Sequence, residues 1–323
     1  MQGLVTVFGG SGFIGAQVVR ALAKRGFRVR VAVRQPGRGY KLRMLGAVGQ
    51  IQVVQANARD PESVARALVG AQACVNLIGL LYERGRQKFT SVHVMGAQTI
   101  AQAAKAAGVS QFIQMSAIGA AEGSSSKYAR TKAMGEAAVR KIYPKATILR
   151  PSIVFGPGDG FFNRFAQMAC ISPVLPLIGG GKTRFQPVFA GDVGAAVAAC
   201  VADPASTEGK IYELGGPATY TFKALMELVR LETRRTPILL PIPFFIAEWI
   251  GLAGQIQSLV MPPVLTVDQV TLLRFDNVAD PKAPGLADLG VTPTGLEAIL
   301  PTYLARYRVG GEFADAIAAA AAR

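Results

Sequence analysis

Tyr128 and Lys132 stand four residues apart in the run Ser126-Lys127-Tyr128-Ala129-Arg130-Thr131-Lys132. On a helix that spacing puts both side chains on one face, one turn apart. An ammonium beside a phenol lowers the pKa of the phenol, which can then exchange a proton with a carbonyl or an alcohol. The same ammonium can bind the hydroxyls of a ribose. Ser116 closes an apolar run twelve residues before Tyr128, where its hydroxyl can hydrogen-bond the reacting oxygen. A Tyr/Lys pair at helical spacing is, taken alone, usually a coincidence of surface residues. Its weight depends on the elements that precede it.

The first of those is Val5-Thr6-Val7-Phe8-Gly9-Gly10-Ser11-Gly12-Phe13-Ile14-Gly15, an apolar strand running through glycines into a helix. Gly9 permits the tight turn, Gly12 lets backbone approach a pyrophosphate, and Gly15 allows the helix to pack closely on the strand. Ser11, Phe13 and Ile14 complete the same turn, and the helix N-terminus faces the phosphates. A glycine fingerprint alone is weak evidence. Set after a strand and followed by a βαβ pattern, it identifies a dinucleotide loop. The second strand ends Val31-Ala32-Val33-Arg34, and Arg34 lies 19 residues past Gly15 with Arg38 close behind. A site selective for NAD would carry Asp or Glu there to hold the ribose 2′-hydroxyl. A guanidinium instead suits a 2′-phosphate, so the expected ligand is NADP(H).

These features need a scaffold, and the pattern up to about residue 150 supplies one. Strands are expected at 4–8, 28–33, 51–55, 73–78, 111–115 and 147–150, and helices at 13–24, 61–68, 92–107 and 128–142. Pro61 behind Asp60 is a good first helical turn behind a capping residue. Strict alternation of strands and helices predicts an α/β fold, a doubly wound parallel (Rossmann) sheet. Beyond Pro151 the rhythm breaks at Gly156-Pro157-Gly158-Asp159-Gly160 and again at Gly179-Gly180-Gly181. We expect a dinucleotide-binding domain over 1–154. A smaller C-terminal α+β lobe follows over 155–323, interleaved with the last sheet strands, with a strand at 210–214, a helix at 222–231 and an alanine-rich helical tail at 313–323.

Composition narrows the partners. The chain has 323 residues, half of them apolar, and a net charge of +15. Residues 1–59 hold ten Lys or Arg and no acid, the first being Asp60. Such a lobe favours an anionic partner. No reading motif or stacking platform accompanies the charge, so nucleic acid is not expected. Cys74, Cys170 and Cys200 are far apart and His93 is the one histidine, which argues against a metal site and for free thiols in a reducing compartment. Met-Gln-Gly leads straight into a strand with no signal or transit pattern ahead of it, so the chain is expected to stay where it is made.

One further stretch is unusual. Residues 237–265, PILLPIPFFIAEWIGLAGQIQSLVMPPVL, carry Glu248 as the only charge. Prolines 241, 243, 262 and 263 bracket a helix too short to span a bilayer. Phe244, Phe245, Trp249 and Leu252 can form one apolar face of an interfacial helix, or the stretch can be a core helix of the small lobe. With the basic first lobe, the interfacial reading implies contact with anionic lipid or with a membrane-embedded partner.

The glycine loop, Ser116, Tyr128 and Lys132, and the continuation Arg150-Pro151-Ser152-Ile153-Val154-Phe155-Gly156-Pro157-Gly158 together resemble the short-chain dehydrogenase/reductase superfamily in its extended and atypical branches. That resemblance implies catalytic roles for Ser116, Tyr128 and Lys132 where the protein is active. It places Pro151 beside the nicotinamide, and Asn57 where an aspartate usually meets the adenine. Narrower details resemble the nucleotide-binding accessory subunits of respiratory complex I, in a bacterial form: Val92-His93-Val94-Met95-Gly96-Ala97, the run around Ser116, and Phe155-Gly156-Pro157-Gly158-Asp159-Gly160-Phe161-Phe162-Asn163. This implies a bound NADPH with a structural role, in a peripheral subunit near the junction of the hydrophilic arm and the membrane domain. The site would be the cytoplasmic face of a bacterial inner membrane, or the matrix side in an organelle. The residues themselves leave a second reading open: a working NADPH-dependent reductase or epimerase on a small substrate, with Tyr128 as acid/base.

Overall fold

The computed structural model describes residues 2–257, 263 and 265–314. In chain order the first half runs β1 (Gln2–Phe8), α1 (Phe13–Lys24), β2 (Phe27–Val33), β3 (Ile51–Gln55), α2 (Pro61–Leu68), β4 (Ala73–Asn76), a π-helical turn (Thr90–Gly96), α3 (Ala97–Ala106), β5 (Gln111–Met115), α4 (Lys127–Ile142) and β6 (Thr147–Pro151). The second half follows as β7 (Val154–Phe155), α5 (Phe162–Ile171), β8 (Val174–Ile178), β9 (Arg184–Phe185), β10 (Val188–Phe189), α6 (Ala190–Ala202), α7 (Pro204–Thr207), β11 (Ile211–Leu214), β12 (Tyr220–Thr221), α8 (Phe222–Thr233), β13 (Ile238–Ile242), α9 (Phe244–Gln257), α10 (Val267–Leu272) and α11 (Leu296–Leu304).

Seven strands form one parallel sheet in the order β11-β6-β5-β4-β1-β2-β3. The order reverses at β1, which opens a crevice at the carboxyl ends of β1 and β4, the usual ligand position of such sheets. Alternating strand residues feed two cores. Val5, Val7, Val29 and Val31 meet Val18, Val19 and Leu22 of α1 and Val193, Val197 and Cys200 of α6. Phe8, Cys74, Phe112 and Ile148 meet Val64 and Leu68 of α2, Ile100 of α3 and Val139 of α4. Gly194 makes the α1–α6 crossing close, since a methyl group there would lie 2.7 Å from the Gln17 carbonyl oxygen. The chain thus returns to the sheet after leaving it, contributing α6 and β11 from its second half.

The second lobe has its own aromatic core of Phe155, Phe162, Phe185 and Phe222 with Leu175, Leu225 and Leu300. Asp159 organises its entrance: its carboxylate accepts the N–H groups of Gly156, Phe161 and Asn163 and the Tyr303 hydroxyl. α9 begins after Pro243, as the prolines predict, and residues 258–262 and 264 of the apolar stretch lie outside the described residues. Its outward face differs from the expected set at one position. Phe245, Trp249 and Leu252 are exposed, Trp249 at 72%. Phe244 turns inward, packing with Ile178, Ala247 and Val270 against Gly179.

Two other expectations are corrected. The helix expected from Val92 to Ala107 is present, but its first part, Thr90–Gly96, is wound as a π-helical turn that runs on without a break into α3. The fourth strand stops at Asn76, whose side chain accepts from Ile78 N–H and donates to Gln114, so the chain turns off the sheet. Of the expected C-terminal helix, 315–323 lie outside the described residues, and Gly311–Phe313 form a 3₁₀ turn.

Candidate functional site

The glycine loop is shaped by contacts that exclude side chains. Gly9 has φ +80°, a left-handed conformation, and its carbonyl accepts the Gly12 N–H at 3.0 Å. A methyl group at Gly15 would collide with Gly9 and Gly10 backbone. Gly10 is equally constrained, since a methyl group there would lie 2.8 Å from Val31 Cγ1; the signal for it in the sequence is that Gly10-Ser11-Gly12-Phe13-Ile14-Gly15 itself spells G-x-G-x-x-G. No side chain caps α1 and no acid sits in its first turn, so its N–H groups and dipole remain available to an anion. Phe13 and Ile14 are half-buried, Ile14 against the α1 core.

Beside the loop lies a polar cavity of about 430 Å³ lined by Ser11, Arg34, Gln35, Arg38 and Gln87. Arg25 and Arg30 of the basic lobe are committed to backbone carbonyls of Ala198, Ala67 and Val69. The Arg34 and Arg38 side chains, by contrast, are exposed and make no hydrogen bond or ion pair to the described residues. Among the described residues no carboxylate lines the cavity. Gln87 arrives on a small turn closed by Arg84 and Gln87, a placement nothing in the local sequence announces. Asn57 follows β3 and its amide oxygen accepts the Arg59 N–H at 3.2 Å, which leaves an amide nitrogen, a donor, where an aspartate would offer only acceptors.

Ser116, Tyr128 and Lys132 converge at the carboxyl end of β5. Ser116 is anchored by its N–H to Leu149 O at 2.7 Å, yet its hydroxyl is buried with no hydrogen-bond partner among the described residues. Lys132 is buried and donates to Met115 O at 3.3 Å. Its ammonium lies 5.8 Å from the Tyr128 ring centre. Burial lowers Lys132 to about 8, and burial with the Asp268 carboxylate pushes the Tyr128 phenol up to about 12. Pro151 ends β6, and its carbonyl accepts the Ile118 N–H at 3.0 Å, holding the chain that leaves Ser116. A buried hydroxyl without a partner costs about 1–3 kcal/mol. That orphan, beside an ammonium with a single long bond, fits a hydroxyl-rich ligand such as a nicotinamide riboside.

His93 is fully enclosed. Its Nε2 accepts the Leu80 N–H and its Nδ1 pairs with Thr131, while its ring stacks on Phe89 and meets Tyr128 edge-on. Two carboxylates not singled out from sequence hold the start of α4. Glu83 pairs with Lys127 at 3.0 Å and accepts the Phe89 N–H. Asp268, from the second lobe, binds Ser126, Lys127 and Tyr128. Among the described residues no group of His, Cys, Asp and Glu is arranged to hold a metal ion, and no helix is long and apolar enough to cross a membrane.

Comparison with known proteins agrees with this geometry. Residues 1–244 match the model of the NmrA-like family. The chain is 38% identical over 307 residues to mouse "NADH dehydrogenase [ubiquinone] 1 alpha subcomplex subunit 9, mitochondrial", covering 94% of this chain and 80% of that one. A Caulobacter vibrioides "Ceramide reductase" is 39% identical over 177 residues, 55% of this chain and 54% of its own. Among solved structures, a triphenylmethane reductase of Citrobacter sp. superposes with a TM-score of 0.74 at 19% identity, over 93% of this chain and 99% of that one, which shows the shared fold. The chain belongs to the NmrA-like family and to the family of the NADH dehydrogenase [ubiquinone] 1 alpha subcomplex subunit 9 proteins.

Proposed function

We propose that this chain is an accessory subunit of a respiratory NADH:ubiquinone oxidoreductase that holds NADP(H) chiefly for structure. The observation that carries the reading is relatedness to the subunit 9 proteins along 94% of the chain, across both lobes. Gly9, Ser11, Gly12, Phe13, Ile14 and Gly15 would seat the pyrophosphate, Arg34 the 2′-phosphate, Asn57 the adenine, and Tyr128, Lys132 and Pro151 the nicotinamide end. When bound, such a nucleotide can supply or accept a hydride.

For the partner surface, the exposed apolar residues Ile238, Leu240, Phe245, Trp249 and Leu252, together with the ten Lys or Arg and no acid of residues 1–59, support contact with anionic lipid, at the cytoplasmic face of a bacterial inner membrane or the matrix side of an organellar one. Glu248, the one charge of the stretch, is neutralised by Arg274 at 2.6 Å. Flotation with phosphatidylglycerol vesicles at low and high salt tests this. A chain that stays in the soluble fraction in both, with no membrane partner on purification, removes the lipid assignment.

The decisive experiment is native purification of the tagged chain from a host carrying the complex, with wild type and Tyr128→Phe. Both should co-purify with the oxidoreductase and retain nucleotide. A second reading, an active NADPH-dependent reductase, is favoured by the intact Ser116, Tyr128 and Lys132 and by the likeness to a ceramide reductase over 177 residues. Substrate-dependent NADPH oxidation abolished in Tyr128→Phe, with no complex recovered, would reverse the order of the two.

A further inference from the structure

Asp268 belongs to the second lobe, but its carboxylate faces the start of the helix that carries Tyr128 and Lys132. Oδ1 accepts the Lys127 N–H at 2.6 Å, and Oδ2 accepts the Tyr128 N–H at 3.1 Å and the Ser126 hydroxyl at 2.9 Å. The first N–H groups of any helix lack intrahelical partners. Here Ser126 serves one of them, the Ala129 N–H, and a residue 140 positions distant in sequence serves two more. A negative charge at that end also suits the helix dipole.

Asp268 is tied to α9 through its own helix. It is the second residue of α10, whose start is fixed by reciprocal bonds between Thr266 and Gln269. α10 lies against α9 with backbones in contact: a methyl group at Gly251 would come 2.8 Å from Val267 N, and one at Gly254 would overlap the Leu265 carbonyl. Arg274, two residues beyond α10, pairs with Glu248 of α9 and covers the Phe244 ring at 4.5 Å. α9 therefore cannot shift without moving the peptide segment that bears Asp268. The other face of α9 presents Phe245, Trp249 and Leu252 outward.

We infer that Asp268 is a positioning residue that couples the seating of the α9 face to the placement of Tyr128 and Lys132, so that occupancy of the dinucleotide site and docking of α9 strengthen one another. The inference rests on the lipid contact and nucleotide site proposed above. Coupling between two sites is reciprocal, and its usual size is five-fold or more in affinity. A docked α9 fixes α10, Asp268 then holds the first turn of α4 closed, and Tyr128 and Lys132 are presented to the ligand already ordered.

The test uses the full chain, NADPH, and vesicles of phosphatidylcholine with or without phosphatidylglycerol. In wild type, anionic vesicles should tighten NADPH binding by about tenfold and slow amide exchange at Lys127 and Tyr128. Asp268→Asn should lose the vesicle effect while still floating with the vesicles, and Asp268→Glu should restore part of it. Trp249→Ser should lose flotation and the vesicle effect, with vesicle-free NADPH affinity unchanged. Vesicle enhancement that survives intact in Asp268→Asn overturns the role of Asp268 alone. A wild type that floats and binds NADPH, but with no change in affinity or in exchange at Lys127 and Tyr128, overturns the coupling and leaves the proposed function standing. A wild type that fails to float overturns the coupling together with the lipid contact. Should Asp268→Asn not fold, the exchange measurement on wild type decides alone.

Discussion

Nδ1 of His93 lies 3.0 Å from Oγ1 of Thr131, and that contact fixes the tautomer of the ring. The Thr131 hydroxyl already donates to the Tyr128 carbonyl at 3.0 Å, so Nδ1 must be the donor to its oxygen. Nε2 then carries the lone pair that accepts the Leu80 N–H at 3.0 Å. The imidazole is a neutral bridge between the loop after β4 and the first turns of α4. Adding a proton would break the Leu80 bond and place a second cation near Lys132.

Burial and Lys132 lower His93 to about 3 from an ordinary 6.5. Between those values the unfolded chain binds a proton that the folded chain refuses. Stability is therefore full above pH 6.5 and falls as the pH drops below it, by up to about 1.4 kcal/mol per pH unit from this group. His93→Asn should be less stable at neutral pH but should show a shallower decline between pH 6.5 and 4.5. Urea unfolding across that range measures the difference, and identical slopes for the two proteins would exclude a buried neutral imidazole.

Arg34 and Arg38 face a cavity rather than protein acceptors, so removing them leaves no broken internal contact. Arg34→Ala should weaken NADPH binding by about tenfold or more, the value of a charge-assisted guanidinium–phosphate pair in a partly exposed site. NADH binding and thermal stability should change little. Titration of both nucleotides against both proteins gives the ratio, and an equal loss for NADH would mean that Arg34 acts on something other than the 2′-phosphate.

The parts of this architecture that were legible in sequence are those decided within a few residues. Helix Pro61–Leu68 and strands Ile51–Gln55 and Gln111–Met115 fall where capping chemistry and apolar patterning put them. The glycine loop is legible for the same reason, because its turn, close approach and packing act within seven residues. Asp268 was not, since beside Thr266 and Gln269 it reads as an ordinary first-turn acid of its own helix. Its partners lie in another lobe. The widened turn at Thr90–Gly96 likewise follows from fit: Gly135 of α4 presses on the His93 carbonyl so closely that a methyl group would overlap it. Phe244 carries the same lesson, for its partner, Gly179, is a backbone surface that no periodicity reveals.

Farther along α4, Glu136 forms a two-pronged pair with Arg150 of β6 at 2.9 and 2.6 Å, and Glu213 of β11 lies 3.7 Å from the same guanidinium. Glu136 is buried. Glu136→Gln should destabilise the chain by about 3 kcal/mol, the lower end for breaking a buried pair, because Glu213 still balances part of the charge. The loss should appear in chemical denaturation of the nucleotide-free chain. A change under about 0.5 kcal/mol, the range of ordinary surface substitutions, would show that the pair is no anchor for α4.

Ser116 allows a test in which damage to the site strengthens the fold. Its hydroxyl is buried without a partner, a state that costs free energy in the nucleotide-free chain and is relieved only when something donates to or accepts from it. Ser116→Ala removes that cost and leaves the backbone bond to Leu149 intact. The nucleotide-free variant should be as stable as wild type or more so by about 1 kcal/mol, roughly 2 °C in melting temperature for a chain of this size. With saturating NADPH and a carbonyl ligand, the order should reverse, because only wild type gains the new hydrogen bond. Melting curves of both proteins, free and loaded, supply the four values. A nucleotide-free Ser116→Ala that melts well below wild type would mean the hydroxyl is already satisfied within the protein, and its place in the ligand site would be lost.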